Sequence, residues 1–512
     1  MDQQYDIIVI GAGNGGLSAA ASAANRGYKT LLIEQHNLPG GFATSFRRGR
    51  FEFEPALHEL CDVGEPDDRK EVGALIESYG ANVDWLRVPE AYRLIIFGEK
   101  ERIDATMPFG KEAYIDKMEE LVPGSRESME KFFYLSECIM EANAAVARAG
   151  GKADPTVMRK EHPDFLKCAS YPTSVVLRKL KMPLKAQIIL TAYWCYMGVN
   201  TEDLDFGFYA ALVNKYIYNA AYIPRYRSHE LSTAVEKTIR DHGGRILYNT
   251  KATKIIMEDG LPQGVETTHG TFYAKHIIPA ISPNAVFGDM MDGGKGLPED
   301  HIRAVNARNI GARGFCCYVG LNKSADELGV NEYSYFIYEL SDNVKEEALS
   351  GTFGDHPIQA TICLNRANPE CSPPGTCIMS FTTFFTKDIW GDVTETEYFA
   401  KKREVALKMI HDFEKATGLS IEPYIEEIEI ATPETLARYA MVPQGAMYAY
   451  SCGGGDNLTS RLQMADEDQR VKNIRFAGGY SARLYGYSST YMGGDLAVKW
   501  TMKDMREEAE QK

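Results

Sequence analysis

The chain opens with Tyr5-Asp-Ile-Ile-Val-Ile-Gly11-Ala-Gly13-Asn14-Gly15-Gly16, runs through an alanine-rich stretch, and reaches Leu31-Leu-Ile-Glu34. Ile7 to Ile10 is a short apolar β-run, and Leu17 to Arg26 reads as a helix whose packed side is largely alanine. Strand, glycine turn, helix, strand and closing acid together make the phosphate-binding unit of a Rossmann domain. Gly11 permits the tight turn, Gly13 lets backbone amides approach a pyrophosphate, and Gly16 lets the helix close on the strand. Asn14 and Gly15 complete the turn and open the helix, whose free N–H groups face the anion. Glu34 ends the second strand, where a carboxylate accepts hydrogen bonds from adenosine ribose hydroxyls. It is neither Arg nor Lys, which disfavours a ribose 2′-phosphate. The expected fold class is α/β, with a Rossmann-type dinucleotide-binding domain interleaved with a mixed sheet-plus-helix substrate domain.

A second glycine pair follows in Pro39-Gly40-Gly41-Phe42-Ala43-Thr44-Ser-Phe-Arg47-Arg-Gly49-Arg-Phe51-Glu-Phe53-Glu54. This resembles the FAD oxidoreductase superfamily marked by a glycine doublet after the second Rossmann strand. That superfamily holds amine oxidases, phytoene desaturases, carotenoid isomerases, retinol saturases and the Rab-escort proteins. There the doublet loop passes near the FAD phosphates and ribitol, where a Cβ would block close approach. The resemblance therefore implies Gly40, Gly41, Phe42, Ala43 and Thr44 as FAD neighbours.

Further stretches resemble the carotenoid isomerase and retinol saturase branch. Gly243 to Ile255 looks like the strand pair that returns to the FAD domain and touches adenine, implying Thr253 and Ile255 as cofactor neighbours. Asn368 to Gly375 resembles a proline-glycine loop of the substrate domain, and Ala431 to Tyr439 with Gly445 to Tyr448 resembles the segment over the flavin. Arg475-Phe-Ala-Gly478-Gly479 and Tyr491-Met492-Gly493-Gly494-Asp495 resemble the C-terminal flavin motif, adding Gly478, Gly479, Tyr491 and Met492 to the implied FAD set. A helix is expected to begin at Gly493-Gly494, with its N-terminal amides toward the flavin.

Two places depart from the branch. Where it carries a glycine pair before the helix that leads to the adenine strand, this chain has Ile223-Pro-Arg225-Tyr-Arg227, and Glu54 is followed by Pro55-Ala56 rather than glycine. Guanidinium groups bind carboxylates in a bidentate manner, so at least one of Arg225 and Arg227 is expected to orient a carboxylate or other polar end of the substrate.

A chain of 512 residues is too long for a single core. Its net charge of −15 argues against general nucleic-acid binding, which needs a basic face. The ten cysteines show no Cys-x-x-Cys spacing, and adjacent Cys316 and Cys317 should point to opposite faces of a strand. That pattern suits reduced thiols, and no metal-ligand spacing is seen. No apolar run approaches the roughly 20 residues needed to cross a bilayer, so a cytoplasmic location is expected. Leu177 to Pro183 and Ala186 to Trp194 are amphipathic pieces that suit either core packing or peripheral membrane contact.

Five segments are expected. Residues 1–90, 226–289 and 466–512 form the FAD-binding domain, 91–225 a helical cap, and 290–465 the substrate domain, a sheet with helices on one side. No second glycine fingerprint follows a strand. The Gly453 to Gly455 run leads into Asp456-Asn457 and reads as a turn, so no separate nicotinamide domain is expected and a redox protein is the expected electron donor.

Tyr480, Tyr485, Tyr487 and Tyr491 crowd the segment between the two C-terminal glycine pairs. A tyrosine is protonated at neutral pH and can hand a proton to carbon, so Tyr487, Tyr491 and Tyr480 are the expected catalytic donors. The resemblance implies non-covalent FAD and a small-molecule substrate with a C=C bond. The reaction would be saturation, desaturation or cis–trans isomerisation of an elongated, largely apolar molecule such as a polyene, retinoid or unsaturated lipid. Alternatives are an ene-reductase of a smaller unsaturated acid, a flavin amine oxidase, and a non-catalytic prenyl-chain carrier.

Overall fold

The structure is a computed structural model describing residues 3–98, 102–149, 152–294, 297–340, 352–353, 358–453, 456, 471–481 and 485–511. Gly454, Gly455 and Asn457 of the glycine run lie outside the described residues.

Ile7–Ile10 sits inside a four-stranded sheet of order Arg245–Leu247, Thr30–Ile33, Ile7–Ile10, His276–Pro279. Every pair is parallel, with Ile8 opposite both Leu31 and Ile277. Ile7–Ile10 is buried throughout because both faces are covered. Ile7 and Val9 pack against helices Asn14–Asn25, Arg227–Asp241 and Tyr487–Glu510. Ile8 and Ile10 pack against Ile255, Val265 and Phe272 of a three-stranded antiparallel sheet. Strand order reverses between Ile7–Ile10 and His276–Pro279, and in such sheets ligands bind beyond the carboxyl ends at this switch.

The second layer is a seven-stranded sheet of order Ile103–Met107, Tyr92–Gly98, Ser334–Leu340, Gln359–Cys363, Cys377–Phe385, Arg313–Leu321, Ile425–Ala431. Only the Tyr92–Gly98 and Ser334–Leu340 pair is parallel. Cys316 and Cys317 do face opposite sides. Cys316 lies in the core beneath the helical segment, and Cys317 lies in the core beneath helix Glu395–Thr417. The expectation of helices on one side is thereby corrected. Arg313–Leu321 and Cys377–Phe385 are buried along their whole length, so each face has its own cover.

The expected helix start at Gly493 is also corrected. The C-terminal helix runs Tyr487–Glu510 behind Gly486 (φ 92°), so Gly493-Gly494 lies inside it. There the glycines serve close approach, since a Cβ on Gly494 would lie 2.3 Å from the Gly15 carbonyl oxygen. Asp495, almost fully buried, locks this helix to Asn14–Asn25 by accepting from Ser22 Oγ at 2.7 Å and Arg26 at 2.9 Å.

The amphipathic pieces form helices Thr173–Lys179 and Leu184–Leu190, which bury Leu177, Ile189 and Leu190 in the core and leave Leu184 exposed. No helix among the described residues is long and apolar enough to cross a membrane.

Candidate active site

One cavity of about 1330 Å³ runs from the carboxyl end of the parallel sheet to the seven-stranded sheet. That exceeds the roughly 300–1,000 Å³ of an ordinary ligand pocket. Its two ends differ in chemistry.

The first end is the glycine turn. Gly11, Gly13, Asn14, Gly15 and Glu34 line it, together with Gly40, Gly41, Phe42 and Thr44 of the doublet loop. The two loops are tied where Gly40 N–H donates to the Ala12 carbonyl at 2.7 Å. Glu34 accepts from Ala12 N–H at 2.6 Å and His36 N–H at 2.7 Å, which fixes its carboxylate at the strand end. Helix Asn14–Asn25 begins at Gly13 with no side-chain cap, so its first-turn N–H groups are free for an anion. Asn14 Oδ1 is buried without a hydrogen-bond partner among the described residues. A Cβ built on Gly13 meets nothing within 4 Å, so the protein itself does not require glycine there. Gly16 does not reach the cavity. Its Cβ would strike the Gly11 carbonyl oxygen at 1.8 Å, so it serves the turn. Ala43 lies behind the doublet loop, its carbonyl accepting from Ser232 Oγ at 2.8 Å.

Thr253 lines the cavity, whereas Ile255 points into the core beneath it. Gly478, Gly479, Tyr480 and Tyr487 line its middle, with Ser488 and Ser489 of the C-terminal helix's first turn. Tyr487 spends its hydroxyl on the Phe42 carbonyl at 2.8 Å. Tyr491 and Met492 are not brought to the cavity. Tyr491 is fully buried under the parallel sheet, its hydroxyl without a partner among the described residues, and Met492 packs beside it. Tyr491 lies one turn beyond Tyr487, on nearly the same helix face but about 6 Å further along the axis, which carries it past the cavity into the core.

The far end is walled by Tyr196, Phe208, Leu212, Tyr216 and Phe384. Tyr448 and Tyr485 stack at 5.0 Å and 23° and close one side. Sequence reasoning passed over two polar residues in this wall, His58 and Glu59. Burial alone holds the His58 imidazole down to about 4, so it is neutral, and its Nε2 lies 3.1 Å from Thr382 Oγ1. Glu59 is 5% exposed; burial first, and Glu90 nearby, push its carboxyl well above the usual range. The one sequence signal was a His-Glu pair within an otherwise apolar Ala56 to Cys61 run.

Arg225 and Arg227 are not brought to the cavity, which corrects their expected role as a substrate anchor. Both border a separate hollow of about 10 Å³. Arg225 Nε pairs with Asp84 at 2.5 Å on the surface. Arg227 pairs with Glu52 at 2.6 Å and donates to the Cys371 carbonyl at 3.0 Å. Arg227 also adopts φ 68°, the left-handed conformation that glycine takes most readily. The guanidinium contacts hold this backbone in place.

Residues 9–71 match the NAD(P)-binding Rossmann-like domain family. The chain is 21% identical over 526 residues to the all-trans-retinol 13,14-reductase of Danio rerio, covering 96% of this chain and 85% of that protein. It is 22% identical over 469 residues to the chloroplastic prolycopene isomerase of Daucus carota, covering 85% and 70%. An oxidoreductase from Methanosarcina mazei superposes with a TM-score of 0.63 at 14% identity, covering 97% of this chain and all of that one. A putrescine oxidase superposes with a TM-score of 0.62 at 13% identity, covering 98% and 100%. The chain thus carries an NAD(P)-binding Rossmann-like domain over residues 9–71, shares its fold with these oxidoreductases, and is distantly similar over most of its length to retinol 13,14-reductases and prolycopene isomerases.

Proposed function

We propose that this protein is an FAD-dependent enzyme that acts on a carbon–carbon double bond of an elongated, largely apolar molecule. The observation that carries the reading is the continuity of one cavity from the glycine turn to an aromatic wall. A dinucleotide fits the first end: free helix N–H groups, open space over Gly13 and the Glu34 carboxylate suit pyrophosphate and ribose. Gly11, Gly13, Asn14, Gly15, Glu34, Gly40, Gly41 and Gly478 would hold it. Bound there, FAD would supply the hydride chemistry, and the protein the orientation and the proton.

The aromatic end has room for an apolar chain, in keeping with the polyene and retinoid substrates named for its homologues. Of the proposed proton donors, Tyr480 stands on the cavity wall and Tyr487 is bound to the doublet loop. We assign the proton-donor role to Tyr480. We favour reduction of the alkene, with electrons supplied by a redox protein. An amine oxidase of this fold would need a slot between facing aromatic rings, and the 5.0 Å stacking of Tyr448 on Tyr485 leaves none between those two.

The test is the absorbance spectrum of protein purified without added cofactor, followed by acid treatment. A yellow protein that releases FAD supports the reading, and a colourless one that takes up no FAD ends it. Chemically reduced enzyme should be reoxidised by a conjugated alkene under anaerobic conditions. Amines that bleach the oxidised enzyme, with no alkene reoxidising it, would replace this reading with an amine oxidase.

A further inference from the structure

Resting on that reading, we propose that Glu59 is a neutral hydrogen-bond donor in the aromatic end of the cavity, and that it recognises an uncharged oxygen on the substrate, a carbonyl conjugated with the reacting alkene.

The geometry assigns each oxygen of this carboxyl a role. Tyr196, on the turn Ala192–Met197, donates its hydroxyl to Glu59 Oε1 at 3.2 Å. Oε1 is therefore an acceptor. Oε2 is buried and has no hydrogen-bond partner among the described residues. No ion pair to Lys or Arg is found for Glu59 among the described residues, and the charged neighbour that acts on it is the acidic Glu90. Tyr216, from helix Phe206–Asn219, donates to the Glu59 backbone carbonyl at 3.5 Å. His58 is occupied by Thr382, the Tyr333 hydroxyl donates to the His58 carbonyl, and Glu90 adds only negative charge. A carboxylate stripped of water with no cation is costly, so the group stays protonated. With Tyr196 donating to Oε1, we place the proton on Oε2, the oxygen without a partner among the described residues. The lining residue Glu59 then carries an O–H with no acceptor among the described residues.

Such a donor selects its ligand. A hydrocarbon leaves it unsatisfied. An ammonium would draw Glu59 into its ionised form. A carbonyl or a hydroxyl oxygen satisfies it, but only a carbonyl conjugated with the alkene lets the hydrogen bond draw electron density out of the reacting bond. A carboxyl group kept neutral at pH 7 so that it can donate is a known device for polarising such groups. The substrate class narrows from any apolar alkene to enones and enals. This is the opposite of the acid that Arg225 and Arg227 suggested.

The test is infrared difference spectroscopy of the full chain at neutral pH, with and without β-ionone labelled at its carbonyl carbon. The expected result has two parts: a protonated-carboxyl band that shifts when the ketone binds, and a bound carbonyl stretch below its value in apolar solvent. In Glu59→Leu the carbonyl shift should vanish. The ketone should bind that variant about tenfold or more weakly, while a hydrocarbon of the same skeleton binds both proteins alike. The wild-type spectrum decides the matter even if that variant does not fold. No protonated-carboxyl band, an unshifted carbonyl, or no binding of β-ionone overturns the proposal. The visible spectrum of the same sample separates the two readings. A colourless protein that still shifts the carbonyl keeps Glu59 and loses the flavin, and a yellow protein with no shift does the reverse.

Discussion

Gly15 and Gly478 touch backbone to backbone: a Cβ on Gly15 would lie 2.3 Å from the Gly478 Cα. The first glycine motif and the C-terminal motif therefore form one wall. Gly13, two residues before Gly15, faces only the cavity. The pair makes a clean contrast. Gly15→Ala should cost about 2–3 kcal/mol of stability, because backbone must shift to admit a methyl group. Gly13→Ala should cost under ~1 kcal/mol in the cofactor-free protein, yet weaken cofactor binding by tenfold or more. Thermal melts of the cofactor-free protein, with and without added FAD, measure both. Equal behaviour of the two variants would mean that Gly13 is structural.

Glu54 predicts a pH signature. Its buried carboxyl accepts from Ser228 N–H and Ser228 Oγ, both at 2.8 Å, and from Leu57 N–H at 3.2 Å. Burial raises it from 4.5 to about 7, with the Ser228 and Leu57 donors acting in the opposite sense. The folded protein thus binds a proton that the unfolded chain has released. This contribution is fully present below pH 4.5 and is lost as pH rises through about 7. The loss is about 3 kcal/mol across that window. Denaturant melts from pH 5 to 8 should show the decline in the wild type and a flatter profile in Glu54→Gln. Parallel profiles would place Glu54 near its ordinary acidity.

The arginine pair should behave as structure. Arg225→Ala should change stability by less than ~0.5 kcal/mol, because its ion pair with Asp84 is on the surface. Arg227→Ala should cost about 1–3 kcal/mol through loss of the Glu52 and Cys371 contacts. Arg227→Gly should lose less, since glycine relieves the φ 68° backbone by about 1 kcal/mol. Neither alanine variant should alter kcat/KM by more than about twofold, or ~0.4 kcal/mol. A hundredfold loss with unchanged melting would restore the substrate anchor.

The tyrosines should separate by burial. Tyr491→Phe removes a buried hydroxyl that has no partner among the described residues, so stability should hold or rise by up to ~1 kcal/mol with turnover unchanged. Tyr487→Phe frees the Phe42 carbonyl, costing ~1 kcal/mol and loosening the doublet loop. Tyr480→Phe should leave cofactor binding intact and slow alkene-dependent reoxidation by about 10²–10⁴-fold. Melting curves, FAD titration and single-turnover reoxidation distinguish the three. Slow reoxidation in Tyr491→Phe would contradict its placement.

The sequence by itself determined whatever depends on near neighbours. The glycine turn, its flanking strands and Glu34 lie within one βαβ unit, so their order already implies a dinucleotide end. Helix Glu395–Thr417 and the opposite faces of Cys316 and Cys317 follow from local periodicity. The tertiary structure alone decided what depends on distant chain segments. Glu52 claims Arg227, Gly15 meets Gly478, and the doublet-loop carbonyl of Phe42 accepts a hydrogen bond from the Tyr487 hydroxyl. Gly493-Gly494 turned from a helix start into a helix contact because Asn14–Asn25 lies against it. Glu59 depends most on the fold. Its carboxyl is ordinary in an unfolded chain, and only burial among Tyr196, Tyr216 and the far sheet makes it a neutral donor.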